Sequence, residues 1–350
     1  MGLLDIFRNK SKLKPSEVAL KLSGELDKLC LPMEDGVAVI AISDRDCNEL
    51  ESFLAASCAG VSANAYVKRQ PKPDEIEKCL TICSQSGLLI KIARTVAALP
   101  PETRRIMSAI WGYLLKIESP KSFQRPMVEY LISNTQGLDL LFEAYGKNTS
   151  GSDVIIGVMI RDACRYSKVV NYVVSKGLVF NLFPVLVSGN FDVSADAFQT
   201  LKEILTNHKD VSAPWLNRNF KEFFELYMKP LRAPTESDYV IVRQSLSILS
   251  SLLLDRQFMD TMIQFVGNDE FLRLVMILLG NESKVVRYEA FHIFKIFAAN
   301  PNKTSRICRI LIQNRERIIK ILDKIENDRL DDNEFRQDKA AVVGKLTSMG

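Results

Sequence analysis

The stretch SKVVRYEAFHIFKIFAANPN, Ser283 to Asn302, decides how the rest of the chain is read. From Tyr288 to Ala298, eight of eleven residues are apolar or aromatic. The three exceptions, Glu289, His292 and Lys295, fall three apart, on one side of a helix. The run stops at Asn300-Pro301-Asn302, because proline cannot continue a helix and pushes the residue before it out of the α region. A helix apolar almost all round needs neighbours on almost every side.

Three other segments share this layout: SDVIIGVMIRDACRYSK (Ser152 to Lys168), FDVSADAFQTLKEILTNHK (Phe191 to Lys209) and DYVIVRQSLSILSSLLLDRQ (Asp238 to Gln257). Each is a polar turn, an apolar helix, a polar break and a second apolar helix. The breaks fall near Tyr166, His208, Gln257 and Asn302, a spacing of roughly 42 to 49 residues, which is the repeat length of armadillo and HEAT arrays. One helical hairpin cannot bury both of its faces, so repeats stack and the inner helices become apolar all round. The spacing predicts an all-α chain, an armadillo/HEAT-like right-handed helical-repeat solenoid. Residues 1–14 are expected to be a flexible lead-in, and residues 15–350 a single domain closed by C-terminal capping helices.

The first half reads as helices too: Ser16 to Leu29 with Ser16 as N-cap, Asp44 to Gly60, Asp74 to Gly87, LLIKIARTVAAL up to Pro100-Pro101, then ETRRIMSAIWGYLLKI. VAVIAI (Val37 to Ile42) is the only β-rich run and is discounted. The loop MKPLRAPTESD (Met228 to Asp238) looks like an insertion between repeats.

Composition agrees with this. The 350 residues are 47% apolar and 25% charged, with 16 glycines and 13 prolines, few turns for an all-β chain. Forty-six basic and 42 acidic residues give a net charge of +4, with no basic stripe for nucleic acid. No 18-residue apolar run spans a membrane, and MGLLDIFRNKSKLK lacks a signal-peptide core, with Ile6 where myristoylation wants Ser or Thr. Seven cysteines, mostly in apolar helical patterns such as LAASC at Cys58, suit reduced, buried thiols in a cytoplasmic protein.

Candidate chemistry is sparse. There are two histidines, His208 and His292, and neither accompanies a nucleophile, P-loop or kinase motif. Cys79 and Cys83 stand i, i+4 without a second metal-binding pair. ENDRLDDNEFRQD (Glu326 to Asp338) lacks the glycine and spacing of a calcium loop and reads as a solvated turn. No catalytic residue, cofactor or metal is expected. NRERIIKILDKI (Asn314 to Ile325) reads as the outer face of a capping helix.

The chain resembles the calcium-binding protein 39 (mouse protein 25) and hym-type scaffold family. The residues that carry this are SGLL (Ser86 to Leu89), SADAFQTLKEILTNHK (Ser194 to Lys209), RQSLSILSSLLLDR (Arg243 to Arg256), EAFHIFKIFAANPNKT (Glu289 to Thr304) and ENDRLDDNEF (Glu326 to Phe335). The likeness is clear from about Met127 onward and rests on helical pattern alone in the first seventy or so residues. It implies a monomeric, non-catalytic scaffold that binds sterile-twenty-like kinases or pseudokinases on its concave face, with a further kinase in a ternary complex. It places Phe191, Tyr239 and Arg243 on that face, and Arg256, Met276 and Gln313 in a pocket for a Trp-Glu-Phe-type tail. Gln313 stands where the family usually has a lysine. These residue types suit such contacts, since aromatics anchor interfaces, arginine forks carboxylates, and methionine adapts to aromatic rings. A general helical-repeat adaptor is the alternative, but Trp111 and Trp215 do not make the Trp/Asn ladder of importin-type repeats. On this reading Glu289, His292 and Lys295 are the edge of a packed helix that reaches solvent.

Overall fold

The computed structural model describes residues 13–29, 42–58, 71–147, 151–232, 239–327 and 332–349. Most of the lead-in, Val37 to Ala41 of the β-rich run, and residues 233–238 of the inserted loop lie outside them, as do residues 328–331 of the acidic stretch. The described residues form α-helices and short 3-10 turns, with no strand. The chain is all-α, and its contacts group it into two compact units, Met1–Leu182 and Phe183–Gly350.

The first unit carries α1 (Pro15–Leu29), α2 (Asp44–Cys58), α3 (Pro73–Gln85), α4 (Leu88–Thr95), α5 (Pro101–Lys116), α6 (Pro126–Ser133), α7 (Gln136–Ala144), α8 (Asp153–Ala163) and α9 (Ser167–Ser175). The five-residue α10 (Leu182–Leu186) begins at its end. Long helices stack in series, α2 on α5 and α5 on α8, while α4 packs on α7. Trp111 of α5 is fully buried, and its indole N–H donates to the Met159 carbonyl of α8 at 3.0 Å, so the bulkiest side chain in this stack leaves no polar atom unpaired. Helix starts follow local chemistry. Pro73, Pro101 and Pro126 each occupy a first-turn position, where the missing N–H costs nothing. Pro15 does the same for α1, so the helix begins one residue before Ser16. The N-cap expected at Ser16 is replaced by Lys14, whose N–H donates to the Glu17 carboxylate at 3.0 Å. Two hairpins turn on glycines in the left-handed region, Gly87 (φ 68°) and Gly177 (φ 77°), each followed by a leucine that opens the next helical segment.

Four cysteines, Cys47, Cys79, Cys83 and Cys164, are buried thiols outside any disulfide; the hydrogen bond with Cys79, and then burial, push the Cys83 thiol well up. Cys58 departs from the expectation. It ends α2 and is exposed, because the apolar face of that helix turns away before its last residue.

The second unit carries α11 (Phe191–Thr206), α12 (Lys209–Arg218), α13 (Phe220–Tyr227), α14 (Lys229–Arg232), α15 (Tyr239–Leu253), α16 (Met259–Val266), α17 (Asp269–Leu279), α18 (Lys284–Ala299), α19 (Ser305–Asn327) and α20 (Asn333–Ser348). The repeat boundaries read from the sequence are the helix boundaries. The apolar segments become α8, α11, α15 and α18, and the polar breaks lie just before α9, α12 and α16 and at the turn into α19. Within this unit α11 stacks on α15, and α15 on α18. The inserted loop is anchored at its start, where Met228 and Leu231 are fully buried.

An aromatic seam runs through this core. Phe183, Phe223 and Tyr227 meet at 5.4 to 6.4 Å, Phe224 reaches Phe265 at 5.3 Å, and Phe265 reaches Phe297 of α18 at 5.7 Å. Edge-to-face ring pairs add roughly 0.5–1.5 kcal/mol each beyond their burial. Two buried arginines close helix junctions. Arg104 donates to the carbonyls of Val96 and Leu99, and Arg287 to those of Asn281 and Glu282, so carbonyls with no helical partner are satisfied from the first turn of the next long helix.

Candidate partner-binding surface

Phe191 is the first residue of α11. Asn190 caps that helix by accepting from the Asp192 and Val193 N–H groups, which places Phe191 on the outside of the first turn, 64% exposed. Tyr239 is the first residue of α15, the next helix in the stack, and is 38% exposed. The two aromatics therefore occupy equivalent positions in consecutive repeats. Arg243 stands one turn into α15, exposed, and makes no ion pair among the described residues. Beneath them α15 is anchored by Val242, Ser245, Leu246 and Leu249, all buried. Exposed aromatics cost solvation without contributing to the core, and an arginine without an intramolecular partner keeps its donor fork open.

Of the three residues assigned to the tail pocket, Gln313 and Arg256 line two different depressions. Gln313 is exposed on α19, in a depression with Lys303, Cys308, Arg309 and Ile312. Met276 is half-buried on α17, which packs against α19 and is tied to it by Arg306 and Asp269 at 2.9 Å. Arg256 instead lines a separate pocket of about 380 Å³, walled by the end of α15, α16, α18 and α20. The neutral Gln313 thus does not strip its surroundings of positive charge, since Lys303 and Arg309 line the same depression.

The break after α15 is a junction of its own. Asp255 accepts from the Gln257 N–H at 2.9 Å and pairs with Lys209 of α12 at 2.5 Å. The Lys209 hydrogen bond, helped by that backbone donor, holds the Asp255 carboxyl below the usual range. Lys209 and Asp255 sit at the polar breaks of consecutive repeats, so the ion pair joins one break to the next.

The polar stripe on α18 is not an open edge. Helix α20 packs across it: Lys295 pairs with Asp338 at 2.5 Å, and the Tyr288 hydroxyl donates to Asp332 at 3.0 Å. His292 lies half-buried with its ring edge-on to Tyr288 at 4.5 Å. Burial, reinforced by Lys295, lowers its pKa, against the opposing pull of Asp338, Glu334 and Asp332. The acidic stretch read as a solvated turn supplies this cover. Asp332 caps α20 by accepting from the Phe335 N–H at 2.9 Å, and Phe335 is buried against Phe291 with ring centres 4.6 Å apart. The single phenylalanine amid charges was the available signal.

Among the described residues no group of three or more His, Cys, Asp or Glu gathers as a metal site, and no single helix is long and apolar enough to cross a membrane.

Comparison with known proteins extends the likeness well beyond Met127. A family model described as Mo25-like matches residues 6–350. The degreening-related gene dee76 protein of Auxenochlorella protothecoides is 35% identical over 75% of this chain and 80% of its own length. The conidiophore development protein hymA of Emericella nidulans is 32% identical over 78% of this chain and 77% of its own. The calcium-binding protein 39-like protein of Mus musculus is 29% identical over 91% of this chain and 93% of its own.

Proposed function

The chain belongs to the Mo25-like family, and from that premise we propose that it is a non-catalytic cytoplasmic scaffold for a protein kinase or pseudokinase of the sterile-twenty-like class. The observation that carries this reading is the pair of exposed aromatics at equivalent helix starts, Phe191 and Tyr239, beside Arg243, which is exposed and without an ion pair among the described residues. Aromatic and arginine side chains dominate interface energetics when a partner desolvates them. The scaffold prefers the active arrangement of the kinase and shifts its population toward it. A further kinase joins through that complex, and a partner tail docks on the α17–α19 side, near Met276 and Gln313.

The test is affinity purification of the full chain from its own cell extract, followed by an assay of the recovered kinase with wild type and with Arg243→Ala. Recovery of a sterile-twenty-like kinase, with activation lost in the variant, supports the proposal. Recovery only of partners unrelated to kinases would replace it with the general adaptor reading.

A further inference from the structure

The loop between α5 and α6 holds a phenylalanine where two separate costs fall on it. Phe123 is 79% exposed, more than any other large apolar side chain among the described residues. Among those residues it is also the only one other than glycine with a positive φ, 54°, where a Cβ crowds the backbone. A ring left in water on a strained backbone stabilises neither the core nor the loop.

The loop is nevertheless built to keep the ring there. Ser119 is buried and gathers the turn. Its N–H donates to the Gln124 carbonyl at 2.7 Å, and its carbonyl accepts from the Phe123 N–H at 2.9 Å. Its hydroxyl oxygen accepts from the Lys121 and Ser122 N–H groups, each at 3.3 Å, and donates to the Glu77 carboxylate of α3 at 2.8 Å. Glu118 and Arg125 close the neck of the loop at 2.5 Å, and Arg125 lies over the Tyr166 ring at 5.6 Å. Phe123 is therefore presented on a braced backbone, and little freedom is lost when a partner covers it.

The surrounding charges narrow the kind of partner. Five cations lie on the loop or beside it: Lys116 at the end of α5, Lys121 and Arg125 in the loop, and Arg165 and Lys168 on either side of Tyr166. Arg125, Arg165 and Lys168 are already paired with Glu118, Asp162 and Glu129. Lys116 and Lys121 are exposed and without an ion pair among the described residues. Two free cations are too few for a lipid surface, whose recognition takes about four or more. Single-stranded nucleic acid needs a row of open rings on which bases stack. Here Tyr113 and Tyr166 are half-buried, and a cation already lies over each ring. A lone braced aromatic beside two free lysines matches a protein pocket that is apolar inside and carries carboxylates on its rim.

We propose that Phe123 is the anchor of a second protein-docking site, inserting into an apolar pocket of a folded partner whose acidic rim pairs with Lys116 and Lys121. The site uses no residue of the Phe191–Tyr239–Arg243 surface and does not rest on the kinase reading.

The experiment has two stages. Full-length protein with the photocrosslinker benzoylphenylalanine in place of Phe123 is irradiated in its own cells. One protein is expected to be joined to it, at a surface that mass spectrometry maps to a site containing Asp or Glu. That protein is then purified and titrated by calorimetry against wild type and two variants. Phe123→Asn should weaken binding at least about 30-fold. Its melting temperature should hold or rise, because asparagine tolerates the left-handed region. The double variant Lys116→Glu, Lys121→Glu should weaken binding about tenfold and remove the loss of affinity on adding salt. Absence of a crosslinked protein, a contact surface without carboxylates, or equal binding by Phe123→Asn would overturn the proposal. A lowered melting temperature for Phe123→Asn would overturn it by giving the ring a structural role. Phe123-dependent binding to phosphatidylserine vesicles or to oligouridylate would also overturn it, and assign the loop to lipid or to nucleic acid.

Discussion

Helices α15 and α18 hold the same place in consecutive repeats and pack on each other, yet their polar residues meet different fates. The start of α15 leaves Tyr239 and Arg243 in solvent. On α18 the polar stripe is crossed by α20, which pairs Lys295, receives the Tyr288 hydroxyl and half-buries His292. What separates the two is the chain that follows each. After α15 the chain turns through Asp255 and runs on into α16; after α18 and α19 it returns as α20 over the helix it has left. An inner helix at the end of an array has no further repeat to cover it, and here a return helix takes that role.

Four experiments break or sharpen this contrast. The largest effect belongs to Phe335→Ala. Phe335 is the buried anchor of α20, so its truncation should cost about 3 kcal/mol and release the cover from α18. Chemical denaturation, with amide exchange read separately in α20, checks both parts; unchanged exchange in α20 would show that the helix is held by other means. Arg243→Glu comes next. It should weaken kinase binding more than about tenfold while leaving the melting temperature within a degree or two, because among the described residues the side chain has no ion pair to lose. Asp338→Asn should cost roughly 1 kcal/mol, since the partly exposed pair with Lys295 is screened by solvent.

The smallest effect is on pH. The folded protein holds His292 below its ordinary value of 6.5, so below that pH the unfolded chain binds the proton more readily. Stability should therefore fall as pH drops through 6.5 toward the lowered folded value, and His292→Gln should flatten that slope in melts recorded between about pH 5 and 7.

Much of the architecture was legible in the sequence because its signals are local. Asn190, Asn268 and Ser283 cap the helices that follow them, and Asn300-Pro301 ends α18 where the periodicity stops. Ser16 misled because a serine before an apolar run is a good N-cap, but Pro15 is a better first residue and moves the start. Cys58 misled because its neighbours are apolar while its own position at the helix end faces out. The site was legible in part. Phe191, Tyr239 and Arg243 do emerge exposed at or near consecutive helix starts. Arg256, Met276 and Gln313 were grouped by resemblance; Arg256 and Gln313 line different depressions.

By itself the sequence determined that the chain is helical, where the long helices of the second half begin and end, and that they recur at intervals of roughly 42 to 49 residues. Those properties follow from spacing, caps and prolines within a few residues of one another. Only the tertiary structure decided that Arg104 and Arg287 would be buried as helix-junction donors, that α20 would close the stripe on α18, and that Arg256 and Lys345 would line one apolar pocket. Each of these depends on which surfaces touch. Arg256 and Lys345 lie far apart along the chain and line one pocket only because α20 packs back on α18, which stacks on α15.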